Sequence, residues 1–463
     1  MTVAHSPESS RSANPSRSDA RRILFHSYHF PPIGGSGSQR PAAMVRYLPE
    51  FGFEPVVITA PGPAQERWTP RDETLYSGIS PDTVVLRVPG PEPAEITGWR
   101  RRTHRWLRLR DPWARSWIDE STRLGIQAAR EMSFDVVYAW MQPYVSGEAA
   151  AKIARATGRP WVADLGDPWA LDEMMIYPTA LHRRLERRLM GQVLRTASAI
   201  VMSTPEAAAR LRAEFRELAS KPIVAIPNGF DEASFAGQPT AQQNGAFRIV
   251  HTGYFHTELG HKQHRTARLR RVLGGAARGV DILSRSPVFL IEAVERIRRE
   301  RPDVAERLEL HFAGMLSESD LAVVQRSPAT KIHGFVSHVE SLALMRSADL
   351  LFLPMHDLPN GVRATVVPGK TYEYVASGRP ILAAVPDGDA HDLLSDAGTA
   401  LLCRPNDVDS MAAAIVKAYD LHCSGEAIAT PPAELLRRYE HRTLAGELAR
   451  VFDGVCGPRV EAT

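Results

Sequence analysis

Cysteine is nearly absent from this 463-residue chain: Cys403, Cys423 and Cys456 are few, odd in number and unpatterned. That argues against a disulfide framework and a cysteine-based zinc site, and fits thiols kept in a reducing cytoplasm. Long apolar runs are missing too. No window approaches the roughly 18 consecutive apolar residues of a helical membrane span. Neither sign of charge dominates, since 56 Lys and Arg against 53 Asp and Glu leave a formal net charge of +3. So even a balance gives no argument for nucleic acid, and no such partner is expected. Residues 1–20, rich in serine and proline without an apolar core, fail as a signal peptide and read as a disordered tail. What remains is 44% apolar and 24% charged, and too long for one ordinary core, so two domains are expected.

From Arg22 onward, short apolar runs alternate with helical patterns. "RILFHSYH", "EPVVITAP", "DTVVLRVP", "FDVVYAWM", "RPWVADLG", "ASAIVMST" and "KPIVAIPNG" are continuous and bounded by Gly, Pro or Asp. Such runs suit strands buried on both faces of a parallel sheet. Between them lie helical runs such as "TPEAAARLRAEFREL", with Ser203 or Thr204 as N-cap. After "IPNGFD" a second set begins: "FRIVHTGY", "LELHFAGM", "TKIHGFV", "ADLLFLPM", "RPILAAVP" and "GTALLCRP". The expected architecture is α/β, two doubly wound domains over residues 21–230 and 231–430. Residues 431–463 are expected as a helix crossing back to the first domain. Ligands in such sheets sit beyond the carboxyl ends of the strands, so the two sheets should face one another across a cleft.

One stretch breaks the alternation. Residues 258–283 form a basic insertion carrying Lys262, Arg265, Arg268, Arg270, Arg271 and Arg278. It reads either as a lipid- or acceptor-facing surface or as a solvated helical hairpin. "RWLRLRDPWARSWIDE", with Trp106, Trp113 and Trp117 among arginines, reads as a membrane-surface patch or a solvated basic loop. Asp387 and Asp389 form a DxD pattern, but they sit in a glycine-containing turn, and no metal is expected.

The small residues of "FPPIGGSGSQRP" follow a strand and open a helix. Gly34, Gly35 and Gly37 let backbone amides approach a ligand with no Cβ in the way, and the helix start favours an anion. A plain tight turn explains the same residues. Their spacing is not that of a dinucleotide fingerprint.

Four stretches together resemble the family 4 glycosyltransferases. They are "FHSYHFPPIGGSGSQRPAAMVRYLPEFGFEPVVIT", "VADLGDPWA", "AIPNGFDEASF", and "HGFVSHVESLALMRSADLLFLP" followed by "PGKTYEYVASGRPILAAVP". The resemblance spans residues 22 to about 420, in the family's order. It implies the GT-B fold, two Rossmann-like domains with the active site between them. It also implies retaining, metal-independent transfer from a nucleotide sugar, which is a substrate and not a cofactor. The expected products belong to cell-surface or exopolysaccharide synthesis, on a glycan or lipid-linked acceptor. An anionic membrane surface is a candidate partner, and the expected place is the cytoplasm or the inner membrane face.

The same resemblance assigns the site. Glu373 takes the second position of the family's paired-glutamate motif, accepting from the ribose hydroxyls. Its first position, eight residues earlier, is Thr365, which leaves the donor sugar to the backbone from Val366 through Pro368 and Gly369, with Thr371 beside it. Arg285 and Lys370 are assigned to the pyrophosphate, where a guanidinium offers bidentate donors. Gly334, Phe335 and Val336 meet the nucleobase. On the acceptor side Asp167 is the catalytic candidate, with Asp164 and Trp169 nearby, and His256 is placed beside the cleft. Thr365 also permits an alternative, a non-catalytic relative that only binds nucleotide sugars. A sugar-nucleotide epimerase on this architecture is the third reading, but its catalytic residues are not visible at recognisable places.

Overall fold

The computed structural model describes residues 20–62, 70–235, 245–426 and 429–458. The N-terminal tail expected over residues 1–20 lies outside them, apart from Ala20. All thirteen apolar runs form strands. In the first lobe these are β1 (Arg21–Ser27), β2 (Phe53–Thr59), β3 (Val85–Arg87), β4 (Val136–Trp140), β5 (Trp161–Leu165), β6 (Ala199–Met202) and β7 (Ile223–Ala225). They make one parallel sheet in the order β3-β2-β1-β4-β5-β6-β7. The second lobe has β8 (Phe247–Thr252), β9 (Leu308–Ala313), β10 (Thr330–Gly334), β11 (Leu350–Pro354), β12 (Ile381–Ala384) and β13 (Ala400–Cys403). Its parallel order is β10-β9-β8-β11-β12-β13.

The continuous runs are apolar because both sheet faces are covered: every residue of β4, β5, β6, β11 and β12 is buried. Each order reverses once, between β1 and β4 and between β8 and β11. At these points neighbouring loops diverge and leave a crevice.

The C-terminal helix His441–Cys456 returns to the first lobe. Its Leu444, Ala445, Leu448, Ala449 and Phe452 join the core beneath β1, β2 and β4. Phe452 meets Phe53 and Tyr138 edge-on at 5.4 and 5.8 Å. The linker is fixed on the same side. Arg40 bonds the Pro227 carbonyl at 2.6 Å and forms a buried ion pair with Asp164 at 2.9 Å, while Tyr138 donates to the same carboxylate. Asp164 is therefore a structural anchor under the linker, which corrects its assignment to the acceptor side.

The tryptophan-rich stretch also needs correction. It is neither a loop nor uniformly exposed, but two helices, Gly98–Leu107 and Pro112–Glu131. Trp117 is buried against His26 and Tyr28 and donates to Ser146, and Trp113 is partly buried. Only the first helix stays on the surface. The basic insertion opens as one long helix, Thr257–Leu273, rather than a hairpin of two. Asp389 accepts from the Glu206 amide across the lobes, and the Asp387 carbonyl accepts from Ala364, so the DxD residues belong to a turn and an interface.

All eight tryptophans lie before residue 170, so intrinsic fluorescence follows the first lobe. Phe452→Ala should lower that lobe's stability by about 3–5 kcal/mol, read as an earlier urea midpoint of tryptophan emission. An unchanged midpoint would show that the returning helix contributes nothing to this core.

Candidate functional site

The two switch points face each other across a cavity of about 430 Å³. The first lobe lines it with Gly35 and Ser36 after β1, Gln142 and Tyr144 after β4, and Asp167, Asp172, Met174 and Met175 after β5. The second lobe contributes Gly253, Tyr254 and His256 after β8, Gly314 after β9, Phe335 and Val336 after β10, and Pro368 to Lys370 with Glu373 after β11. Arg285 completes the wall.

Two cations meet here without an acidic partner at contact distance. Among the described residues, neither Arg285 nor Lys370 has a carboxylate within ion-pair range. The nearest polar contact of Arg285 is the Met174 sulfur at 3.6 Å. Lys370 Nζ rests 3.1 Å from His251 Nε2. The other ring nitrogen of His251 lies 2.9 Å from the Phe352 carbonyl, so a neutral ring donates there and accepts from Lys370. Burial, then the neighbouring cations, hold His251 well below the usual histidine range. Burial also lowers Arg285 and, with Arg285 adding to it, brings Lys370 down to about 7. Burial pushes the Asp167 carboxyl up, and with Asp167 and Glu173 brings Asp172 up to about 7. The cavity wall thus carries cations and carboxylates that make no direct ion pair with one another, and Lys370 and Asp172 titrate near neutrality.

Glycines make room for this arrangement. Gly253, at φ +102, faces the lysine so closely that a Cβ there would come within 2.8 Å of Lys370 Nζ. Gly35, at φ +88, precedes the helix Ser36–Tyr47, whose start has no side-chain cap. Gly35 and Ser36 line the cavity, so this uncapped helix start borders it. Gly34 and Gly37 sit just behind. A Cβ on Gly34 would meet Asp72 at 2.8 Å and one on Gly37 would meet His29 at 3.0 Å, so these two serve close packing.

Glu373 is buried with one oxygen 2.7 Å from His338 Nε2. Burial opposes a charged His338 ring, but the Glu373 carboxylate outweighs it and raises the pKa. The His338 amide donates to Asp72 of the opposite lobe at 2.8 Å. Thr371 is fully buried, its hydroxyl without a partner among the described residues, and Gly334 (φ +68) lies next to the lining without joining it. Trp169 is buried, stacked on Tyr144 at 5.3 Å, and holds the turn that carries Asp167.

The residue that sequence spacing missed is Glu173. It reaches from the first lobe into the Thr365 loop. One oxygen accepts from the Thr365 amide at 3.0 Å and lies 3.2 Å from His356 Nε2. The other accepts from the Thr365 hydroxyl and from Arg210 at 3.3 Å. Burial alone would raise this carboxyl, yet bonding to His356 and Thr365 prevails and holds it at about 2. Thr204, which caps the helix Pro205–Glu214, also donates to the Thr365 carbonyl at 2.8 Å. Position 365 therefore sits beside a carboxylate after all, supplied from the other lobe. No motif signals it, because the partners are 192 residues apart.

A model described as "Glycosyl transferase 4-like domain" matches residues 35–229, and one described as "Glycosyl transferases group 1" matches residues 284–420. The chain belongs to the group 1 glycosyltransferases. The two matches meet the cavity from opposite sides. Among curated relatives, a glycogen synthase of Mycobacterium tuberculosis is 28% identical over 168 residues, or 35% of this chain. The match spans 38% of that relative's length. The fold is that of the Anabaena protein HepE, crystallised with UDP and glucose, at TM-score 0.57 and 16% identity over 94% of this chain and all of that one. It is shared too with a sucrose-phosphate synthase from Thermosynechococcus elongatus, at TM-score 0.62 and 12% identity over 94% and 98%. This group 1 chain thus has the two-lobed GT-B fold.

Glu173→Ala leaves His356 and Arg210 facing each other without their carboxylate. Breaking such a network typically costs about 3–5 kcal/mol, so the lobes should part, raising the radius of gyration in small-angle scattering. An unchanged radius with unchanged stability would remove the latch. Lys370 and Asp172 predict a pH effect of one sign. As pH rises through about 7, Lys370 loses its charge and Asp172 gains one. Nucleoside diphosphate affinity should then fall, by up to about tenfold per pH unit for each group. Lys370→Arg should flatten the lysine's share of that slope in titration calorimetry.

Proposed function

We propose that this protein is a retaining glycosyltransferase that moves a sugar from a nucleoside-diphosphate donor to a glycan or lipid-linked acceptor. The observation that carries the reading is the pair of cations, Arg285 and Lys370, held in the interlobe cavity with no carboxylate at ion-pair distance among the described residues. A diphosphate would pair with both directly. Gly35 and Ser36, at the uncapped start of their helix, line the same space from the acceptor side.

In the proposed step, the bond between the sugar's anomeric carbon and the phosphate oxygen breaks. Its electron pair leaves on the diphosphate. The acceptor hydroxyl oxygen bonds the anomeric carbon on the same face and gives its proton to a diphosphate oxygen. Arg285 and Lys370 stabilise the growing negative charge, which is commonly the largest contribution to such catalysis. Asp167 lies on the acceptor wall, where it orients the incoming hydroxyl. The free oxygen of Glu373 is available to the ribose diol, with His338 holding the other. HepE is named with UDP and UDP-glucose, so these are the first ligands to try. Group 1 membership supports retention and a place in polysaccharide assembly.

The test is a panel of nucleotide sugars with release of nucleoside diphosphate as the readout. Arg285→Ala and Lys370→Ala should each slow release by about 100-fold or more, the scale of losing one charge-stabilising group. Glu373→Ala should chiefly weaken donor binding. Proton NMR of the first-formed product should show the donor's anomeric configuration. Saturable binding without release for any donor or acceptor would instead identify a non-catalytic binder, and full release by Lys370→Ala would remove the assigned role.

A further inference from the structure

The two basic stretches that the sequence treats separately converge on one face. The segment 176–182 lies between them. On one side Arg105 donates to the Ile176 carbonyl at 2.5 Å, and Trp106 packs on His182 with ring centroids 5.6 Å apart. The Trp106 carbonyl lies 3.0 Å from His182 Nε2. On the other side the Tyr177 amide donates to the Gly275 carbonyl at 2.7 Å, just beyond the helix Thr257–Leu273. Gly274 lies so near Ala180 that an added Cβ would come within 3.0 Å of it.

This face has an unusual surface. Trp106, Leu107, Leu109, Leu181, Leu269 and Val272 are each more than half exposed, Val272 most of all at 84%. They come from three chain segments and both lobes, so they are not the accident of one loop. The helix Gly98–Leu107 buries none of its ten residues. A helix that short is marginal in water by itself. Exposed arginines surround the apolar residues: Arg101, Arg102, Arg184, Arg265 and Arg268. Among the described residues none of these five is in an ion pair.

We propose that this face docks on an anionic membrane surface. A basic rim with tryptophan and leucine at its centre fits the boundary between headgroups and acyl chains, where rings and aliphatic side chains enter while arginines stay with phosphate. A nucleic acid would use the arginines but leave six apolar side chains in water. No helix among the described residues is long and apolar enough to cross a membrane, so the contact is peripheral. The face also borders the cavity. Met174 and Met175 line it immediately before the segment 176–182. Leu259 lines it on the helix that carries Val272, thirteen residues or about 20 Å further along. Resting on the proposed function, this places an acceptor anchored in the membrane within reach of the transfer site.

Sedimentation of the full chain with vesicles of phosphatidylcholine, with and without phosphatidylglycerol, tests the docking. Binding is expected only to the anionic vesicles, weakening with salt, with a blue shift of tryptophan emission. Arg101→Gln, Arg102→Gln, Arg265→Gln and Arg268→Gln should each weaken it about fivefold. Trp106→Ser with Leu107→Ser should abolish the blue shift while thermal unfolding stays unchanged. Equal binding to neutral vesicles, or no loss in the arginine variants, overturns the proposal. So does tighter binding to a single-stranded RNA oligomer that is indifferent to Trp106→Ser. Nucleoside diphosphate binding by the same variants should be normal. If the wild type binds no nucleotide, the transfer reading fails while the vesicle result stands.

Discussion

Positive charge held away from water without a paired carboxylate is costly, and a fold keeps it only where something outside the protein completes it. Arg285 and Lys370 are such a pair. The architecture around them follows from keeping them close and partly dry. Both sheets end at the cavity, Gly253 yields the space that Lys370 fills, and the neutral ring of His251 supports the ammonium without cancelling it. Asp167 and Asp172 stand near enough to be perturbed and too far to form a salt bridge. The site therefore keeps its attraction for an incoming anion.

Such a cavity exists only while two lobes share it. Glu173 binds the Thr365 loop, Asp72 binds the first amide of the helix His338–Arg346, and Asp389 binds the first turn of the helix Pro205–Glu214. Each bond runs from a carboxylate to a backbone amide of the opposite lobe, and two of the three amides lie in the first turn of a helix, where a negative charge is favoured. Bonding to His356 and Thr365 holds Glu173 well below the usual carboxylate range, so its charge persists across the range in which Lys370 and Asp172 titrate.

The segment from Asp167 to His182 links three tasks. It begins as acceptor wall, passes through the Glu173 latch, and ends under the exposed apolar face. This mostly irregular stretch, which runs through the short turn Trp169–Leu171 and ends in the first turn of the helix Ala180–Leu194, does this because it is anchored along its length: Asp167 by the Trp169 turn, Glu173 by four contacts, Tyr177 by Gly275, and His182 by Trp106. A mobile loop would not hold a carboxylate, a latch and a docking edge in fixed relation.

Strand identity, lobe order and the glycine turn were legible in sequence because they rest on local chemistry. Continuous β-branched runs need burial on both faces, and a bare backbone at a helix start needs glycine. That Lys370 and Glu373 lie beside the cavity follows from the resemblance of "PGKTYEYVASGRPILAAVP", and that Arg285 does follows from a resemblance interrupted by an insertion. Other assignments depended on where side chains point. "DLGDPW" offers two aspartates, and only packing decides that Asp164 anchors Arg40 while Asp167 faces the cavity. Among the tryptophans, Trp117 goes to the core and Trp106 to the surface, because they lie on two separate helices, the first ending at the left-handed Arg108 (φ +53) and the second beginning at Pro112. The partnership of Glu173 with Thr365 and the meeting of two basic stretches beside Tyr177 lie beyond any spacing rule. Periodicity is set by neighbours in the chain, whereas these contacts are set by the packing of one lobe on the other.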